Sequence, residues 1–161
     1  MLEDGQYTTP NDVASYILNI VDRDAGEAVT HLKLQKLVYY AQSWYLANFD
    51  RALFEEDMQA WTHGPVARSV YDQHKGNSWA ALEATGESGL PESVRGFVTA
   101  VYEEYGQYGA KKLEKMTHDD LPWLETRGDL RPEQRCEDPI SKVTMRNFYA
   151  AQLGKEPVEA L

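Results

Sequence analysis

The stretch HLKLQKLVYYAQSWYLAN, residues 31–48, decides the fold. Apolar side chains recur in it three and four residues apart, which predicts an α-helix that begins near Thr30 and ends near Asn48. One apolar face is formed by Leu34, Leu37, Val38, Ala41, Trp44 and Tyr45. A second stripe consists of Leu32, Gln35, Tyr39, Gln42 and Leu46, and only a narrow strip remains at Lys36, Ser43 and Ala47. Because a surface helix shows a single apolar stripe, we expect this helix to be central to the fold or shared with a partner.

Further helices are expected on both sides of this stretch. Thr9, Pro10 and Asp12 have the pattern of a helix cap. Apolar spacing predicts more helices after Pro91, around residues 110–117 and after Asp138-Pro139. The expected architecture is mainly α, a compact single-domain multi-helix bundle over residues 9–153 with flexible ends at residues 1–8 and 154–161. Its connections are a mobile loop over 78–91, a turn over 118–123 and an exposed loop over 124–137.

A short β-hairpin is expected around residues 53–61. Leu53-Phe54 and Met58 to Trp61 have the composition of two short strands, with the acidic turn Glu55-Glu56-Asp57 between them. Gly64-Pro65 is then typical of a turn that opens another helix, which Gly76-Asn77 ends.

The composition favours some classes of partner over others. Aspartate and glutamate number 26 and lysine and arginine 16, which gives a formal charge of -10. Such a surface repels phosphate backbones and anionic lipid, so we expect neither a nucleic-acid nor a membrane partner. The acidity either favours a basic protein partner or serves only solubility. The single cysteine, Cys136, lies in a segment expected to be exposed, and the first residues lack the features of a signal peptide, so we expect a cytoplasmic protein.

Candidate catalytic residues are few. His118-Asp119-Asp120 places a histidine beside two carboxylates, but neighbours in sequence diverge on a helix or strand, so the three side chains meet only in a turn. A metal site there would need further ligands, such as His63 or His74. The alternative is that His118 hydrogen-bonds a buried turn with Trp123. No nucleotide-binding, zinc-protease or hydrolase motif is present, and we expect neither enzyme activity nor a cofactor.

The run from His31 to Gln42 resembles the LKLQKLxYYAQ signature of the SocA-like antitoxins, also called the Panacea domain. The resemblance covers about residues 9–151 and continues through Leu53-Phe54, Ala60-Trp61, Gly64-Pro65-Val66, Val70-Tyr71, Leu113, Thr117-His118, Pro122-Trp123 and Ile140. It implies a type II antitoxin that neutralises a protein toxin encoded beside it by direct binding. Some members of the family occur among prophage genes, and the resemblance carries no catalytic activity with it.

The signature residues are candidates for a structural or a partner-binding role: Lys33, Leu34, Gln35, Lys36, Leu37, Tyr39, Tyr40, Trp61, Gly64, Pro65, Tyr71, His118, Pro122 and Trp123. Gln35 and Gln42 are too polar for ordinary core packing, since buried glutamines need hydrogen-bond partners. They either fix Trp61, the Gly64 turn and the His118 region, or line a groove.

Lys36, Tyr40 and Tyr71 are the members expected to face outward, and aromatic side chains are common anchors of protein interfaces. The expected partner is a cognate protein toxin of basic character, bound by a homodimer of this chain or in a hetero-oligomer with it. Two other functions stay open, a prophage-type regulator that binds a host protein and an enzyme centred on His118.

Overall fold

Seven α-helices and one antiparallel β-hairpin make up the computed structural model, which describes residues 1–161. The helices are α1 Pro10–Ile20, α2 His31–Phe49, α3 Arg68–His74, α4 Glu92–Tyr105, α5 Ala110–His118, α6 Leu121–Arg127 and α7 Lys142–Ala151. The strands are β1 Met58–Trp61 and β2 Gly64–Ala67. This architecture confirms the mainly α, single-domain bundle with a short hairpin. None of the helices combines the length and apolarity needed to cross a membrane.

The helix α2 lies at the centre, in contact with α1, α4, α5, α7 and β2. It begins where the Thr30 side chain accepts a hydrogen bond from the Lys33 N–H, and it ends at Asp50, whose φ of 57° is left-handed. The capping box expected at Thr9 and Asp12 opens α1 in the same way. Contacts on all sides of α2 explain why its sequence has two apolar stripes rather than one.

The hairpin pairs β1 with β2, not with Leu53-Phe54. The N–H of Leu53 and the carbonyl of Phe54 are bound by the side chain of Gln42, so they take no part in a strand ladder. Gly64-Pro65 begins β2 instead of a helix, and α3 starts only after this strand ends. The turn between the strands requires Gly64, because its φ is +106°, a conformation that side-chain-bearing residues rarely adopt.

The segment around Asp138-Pro139 extends the hairpin rather than starting the last helix. The Ala60 N–H donates to the Asp138 carbonyl at 2.9 Å, and the Ile140 N–H donates to the Met58 carbonyl at 2.7 Å. Because these residues are held extended against the free edge of β1, α7 begins only after the pairing ends.

The helix α6 occupies a region for which the sequence predicts a turn followed by an exposed loop. Pro122 suits its first turn, where no N–H is needed. Arg127 at its end is buried because its guanidinium donates to the carbonyls of Ala60 at 3.0 Å and Arg131 at 2.9 Å. Backbone carbonyls therefore take the place of a carboxylate partner, and they tie the segment after α6 to β1.

Both chain ends contact the bundle. Leu2 is buried, and its N–H donates to the Tyr45 hydroxyl at 2.7 Å. The Lys155 ammonium donates to the Ala47 carbonyl at 2.8 Å, beside the end of α2. The flexibility expected for the two ends stays a prediction.

Candidate partner-binding site

The signature residues on α2 are buried: Lys33, Leu34, Gln35, Lys36, Leu37, Tyr39 and Tyr40. The prediction that Lys36 and Tyr40 face outward is wrong, since they are 0% and 2% exposed. Tyr40 stacks on Tyr105 of α4, with ring centroids 3.9 Å apart and planes 5° from parallel. Neighbouring elements enclose α2, so even the narrow polar strip of this helix points into the protein.

Gln35 and Gln42 bind the backbone on either side of the hairpin. The Gln35 side chain accepts from the Ala67 N–H at 2.9 Å and donates to the Ala67 carbonyl at 3.4 Å. The Gln42 side chain accepts from the Leu53 N–H at 2.7 Å and donates to the Phe54 carbonyl at 2.8 Å. Both glutamines therefore fix a neighbouring segment rather than line an open groove. The segments they fix are Ala67 and Leu53-Phe54, not Trp61 or the His118 region.

Lys36 is a fully buried amine beneath the hairpin. Its Nζ donates to the Pro65 carbonyl at 3.0 Å, and a Cβ at Gly64 would lie 2.5 Å from its Cε. Burial lowers the pKa of Lys36 to about 7, and the negative charge of Glu114 partly offsets this effect. Lys36 therefore fills the space that the missing side chain of Gly64 leaves open.

The histidine beside the two aspartates does not form a catalytic group with them. His118 stacks on Trp123, with ring centroids 4.1 Å apart, and its Nε2 is buried without a hydrogen-bond partner. The Asp120 carboxylate accepts instead from the Tyr149 hydroxyl, while Asp119 pairs with Lys115. Burial lowers the pKa of His118 and raises that of Asp120. The structure contains no group of three side chains placed to hold a metal ion.

The Pro122-Trp123 block supports the hairpin from the opposite side. Pro122 and Trp123 are buried, and the Trp123 indole N–H donates to the Trp61 carbonyl at 2.8 Å. Stacking on His118 completes this contact. These signature residues therefore position the end of β1.

Three signature residues are only half-buried, Trp61, Tyr71 and His118, and the rings of Trp61 and Tyr71 lie side by side with their centroids 4.8 Å apart. Trp61 and Tyr71 reach the surface together. Together with Val66 they form the floor of a surface depression that we call the aromatic groove. The exposed Trp79 stands on one rim of it. The Arg68 guanidinium lies 5.7 Å from the centroid of the Trp61 ring and 5.8 Å from that of Tyr71.

A histidine pair borders the aromatic groove at the start of α2. The ring of His31 lies 5.6 Å from Tyr71 and 5.9 Å from His74. Burial lowers the pKa of His31 to about 4, with repulsion from His74 and Lys36 adding to the effect. Burial lowers the pKa of His74 as well, so both histidines favour their neutral form near neutral pH.

The sequence did not predict that several residues of the aromatic groove lie together. Arg68, Trp79 and Arg135 come from three separate segments, and none belongs to the signature. A tryptophan in the polar stretch 78–91 is a sequence signal for the rim of the groove. Cys136, predicted to be exposed, is buried in the wall of the groove, because the segment that carries it packs against the hairpin.

The sequence model of the family described as "Antitoxin SocA-like, Panacea domain" matches residues 34–124. The chain belongs to the SocA-like antitoxin family. Neither the curated proteins nor the solved structures contain a match to this chain. The matched range runs from α2 to α6, so it includes Trp61, Tyr71 and Trp79 of the aromatic groove but not Arg135. Membership in a SocA-like antitoxin family points to a protein partner and to a role other than catalysis.

Proposed function

We propose that the chain is an antitoxin that neutralises a cognate protein toxin by binding it directly. The observation that carries this proposal is the match to the SocA-like antitoxin family across more than half of the chain. The buried signature supports a division of labour in which the shared motif builds the scaffold and exposed residues choose the toxin. Such an antitoxin would act by covering the working surface of the toxin, with no reaction of its own.

Growth rescue tests the proposal. The chain is expressed from one promoter and the protein encoded beside it from another, and growth is followed with each alone and with both. We expect the neighbouring protein to stop growth, the chain to restore it, and a tagged chain to copurify with the toxin. Toxicity without rescue, or rescue without a complex, would rule out neutralisation by direct binding.

The charge of the chain supports a basic toxin. The formal charge of -10 would attract a positively charged partner and raise the rate of encounter. Neutralisation in a hetero-oligomer of antitoxin and toxin, with or without dimerisation of the chain, fits this proposal. The cytoplasm is the proposed location, where the toxin encoded beside the chain would also be made. A prophage-type regulator that binds a host protein is the second candidate, and it would copurify with a host protein rather than with the neighbouring product.

An enzyme centred on His118 makes a different prediction from a structural role for this residue. Replacing His118 with Ala removes the stack on Trp123, and we expect a loss of about 1–2 kcal/mol in unfolding free energy. For a chain of this size the melting temperature then falls by roughly 2–8 °C, measured by circular dichroism. Growth rescue at low temperature should be retained.

The matched control for melting temperature alone is His63→Ala, since the His63 side chain is 65% exposed. Because His63 also lines the aromatic groove, its growth rescue is not compared. His63→Ala should leave the melting temperature nearly unchanged. Loss of rescue in a His118→Ala protein with the stability of the wild type would favour the enzyme.

A further inference from the structure

We infer that the aromatic groove binds an acidic segment of the partner protein, whose carboxylates meet the cationic rim while its apolar side chains pack on Trp61, Tyr71 and Trp79. The inference rests on the proposed function in that the segment is taken to belong to the toxin. It specifies where on the chain the toxin is held and which chemistry holds it.

The shape of the groove suits a length of peptide. Two adjoining hollows of about 510 Å³ and 280 Å³ meet at Trp61, His63, Val66 and Tyr71. Binding sites for small groups are usually single concave pockets, whereas these hollows continue into one another along the hairpin and α3. The groove therefore offers successive positions for several side chains.

Aromatic surface is available in the groove. Trp79 is 74% exposed, and Trp61 and Tyr71 are half-buried. The Trp61 indole N–H already donates to the Gln59 side chain at 2.7 Å, so a partner meets the apolar face of the ring and leaves no donor unpaired. Tryptophan and tyrosine in partly desolvated hollows are the residues that most often dominate binding energy at interfaces.

The charge of the groove is opposite to that of the chain as a whole. Three exposed cationic side chains line it, Arg68, Lys75 and Arg135, and Glu137 is the only acid in the lining. This occurs in a chain with ten more acidic than basic residues. An acidic segment is therefore complementary to the groove, and a basic segment is not.

Ion pairs within the chain leave some of this positive charge unmatched. Asp72 lies 3.5 Å from Arg68 and 3.9 Å from Lys75, and Glu137 lies 3.5 Å from Arg68 and 2.6 Å from Arg135. Three exposed cations thus share two carboxylates. A carboxylate of the partner can therefore join Asp72 and Glu137 as a third carboxylate of this ion-pair network, and no buried group has to be displaced.

The same aromatic and cationic residues would also suit a nucleic-acid strand. The acidic surface around the groove disfavours that ligand, because a strand carries one negative charge per nucleotide beyond the groove as well as within it. A protein segment can confine its negative charge to the few positions that the groove occupies. A basic toxin with a local acidic segment therefore complements both the negative net charge of the chain and the positive charge of the groove.

The test uses the full chain as bait for a random twelve-residue peptide library displayed on phage. Enriched peptides are then synthesised with a fluorophore and their dissociation constants measured by polarisation. We expect peptides that combine Asp or Glu with aromatic or aliphatic residues. The groove variant is Lys75→Glu/Arg135→Glu, in which the two side chains are 60% and 84% exposed, so folding should be preserved.

The matched control variant is Lys115→Glu/Arg131→Glu. It has the same residue types, the same change in net charge and similar exposure of 75% and 74%, and each side chain likewise has one carboxylate partner. Neither residue lines the aromatic groove. We expect affinity to fall at least about tenfold in the groove variant and to change by less than about twofold in the control. Trp79→Ala should weaken binding by a similar factor, since it removes an anchor without changing charge.

Four results would overturn the inference: no enriched peptides, enriched peptides without acidic residues, equal losses in both variants, or an oligothymidylate that binds more tightly than the peptides and loses affinity in the groove variant. The growth-rescue experiment separates failure of this inference from failure of the proposed function. If the toxin binds wild type and groove variant equally, the function stands and the groove is not its site. If the toxin does not bind the wild-type chain at all, the proposed function fails, whatever the peptides show.

Discussion

A single buried amine, Lys36, links the signature helix to the hairpin. Its ammonium has the Pro65 carbonyl as hydrogen-bond acceptor and has 0% of its surface exposed. The sequence pattern placed this residue on the solvent side, because lysine is almost never fully buried. Position on a helical wheel alone could not reveal that α5 and the hairpin cover the remaining strip of α2.

The buried state of Lys36 gives a prediction for stability against pH. Its pKa is lowered from about 10.5 to about 7. Between these values the unfolded chain binds more protons than the folded chain, so the unfolding free energy should rise with pH, by at most about 1.4 kcal/mol per unit. Urea unfolding followed by tryptophan fluorescence from pH 7 to pH 9 measures this slope.

Lys36→Met, which has no ionisable group, should remove most of the slope. The control is Lys33→Met, since the pKa of Lys33 is lowered by weaker burial than that of Lys36 and its amine donates to the Gly106 carbonyl at a part-buried site. That variant should keep most of the rise. A slope that survives in Lys36→Met would contradict the assignment of a destabilised charge to Lys36.

At the scale of elements, local signals predicted the helices and failed at the hairpin. The caps of α1 and α2 are formed by side chains within three residues of the backbone groups they bind, so the sequence contains the whole interaction. Gln35 and Lys36 bind the backbone of β2 at Ala67 and Pro65, and Gln42 binds the Leu53 N–H outside the strands, so all three contacts join residues far apart in the chain. The sequence of residues 53–67 taken by itself does not contain the partners of these contacts. Leu53-Phe54 has the composition of a strand, but its backbone is hydrogen-bonded by the Gln42 side chain instead.

The turn at Gly64 is the element whose geometry is most constrained. Gly64→Ala would place a methyl group 2.5 Å from Lys36 Cε and 2.9 Å from Thr117 Oγ1 at a φ of +106°. We expect a loss of about 2–4 kcal/mol in unfolding free energy, from backbone strain and overpacking together. Chemical denaturation at a fixed pH measures the loss.

Gly26→Ala separates the two contributions. Gly26 has a φ of +88° but nothing within 4 Å of an added Cβ, so its substitution reports backbone strain alone, about 1–2 kcal/mol. Equal losses at the two positions would show that Lys36 and Thr117 move aside freely and that the close packing under the hairpin contributes nothing.

For the molecule as a whole, the proposed mode of toxin binding depends on the contrast between an acidic exterior and a cationic groove. The family and fold class could be predicted from the sequence, because the signature is contiguous and the helical periodicity is strong. The aromatic groove could not, since its residues come from α2, β1, β2, α3, the loop that carries Trp79 and the segment after α6.

If the partner is the basic toxin proposed above, the net charge of -10 predicts that its association with the chain depends on salt. Charges separated by more than about 10 Å are screened at 0.1 M ionic strength, so the association rate constant should fall by roughly 10–100-fold between 50 and 500 mM NaCl. Dissociation should change much less, because contacts inside the groove are partly shielded from solvent. Stopped-flow mixing measures both rates. An association rate that is flat or rises with salt would rule out steering by the acidic surface.

Titration of the activity of the purified toxin with the chain tests direct neutralisation most directly. Because a binding protein is consumed by the complex it forms, we expect residual activity to fall linearly and to reach its floor at a fixed molar ratio, with a complex of the same ratio on size exclusion. Full inactivation by far less than an equivalent amount of chain would show turnover and contradict a binding role. Activity that does not fall at any ratio would contradict neutralisation itself.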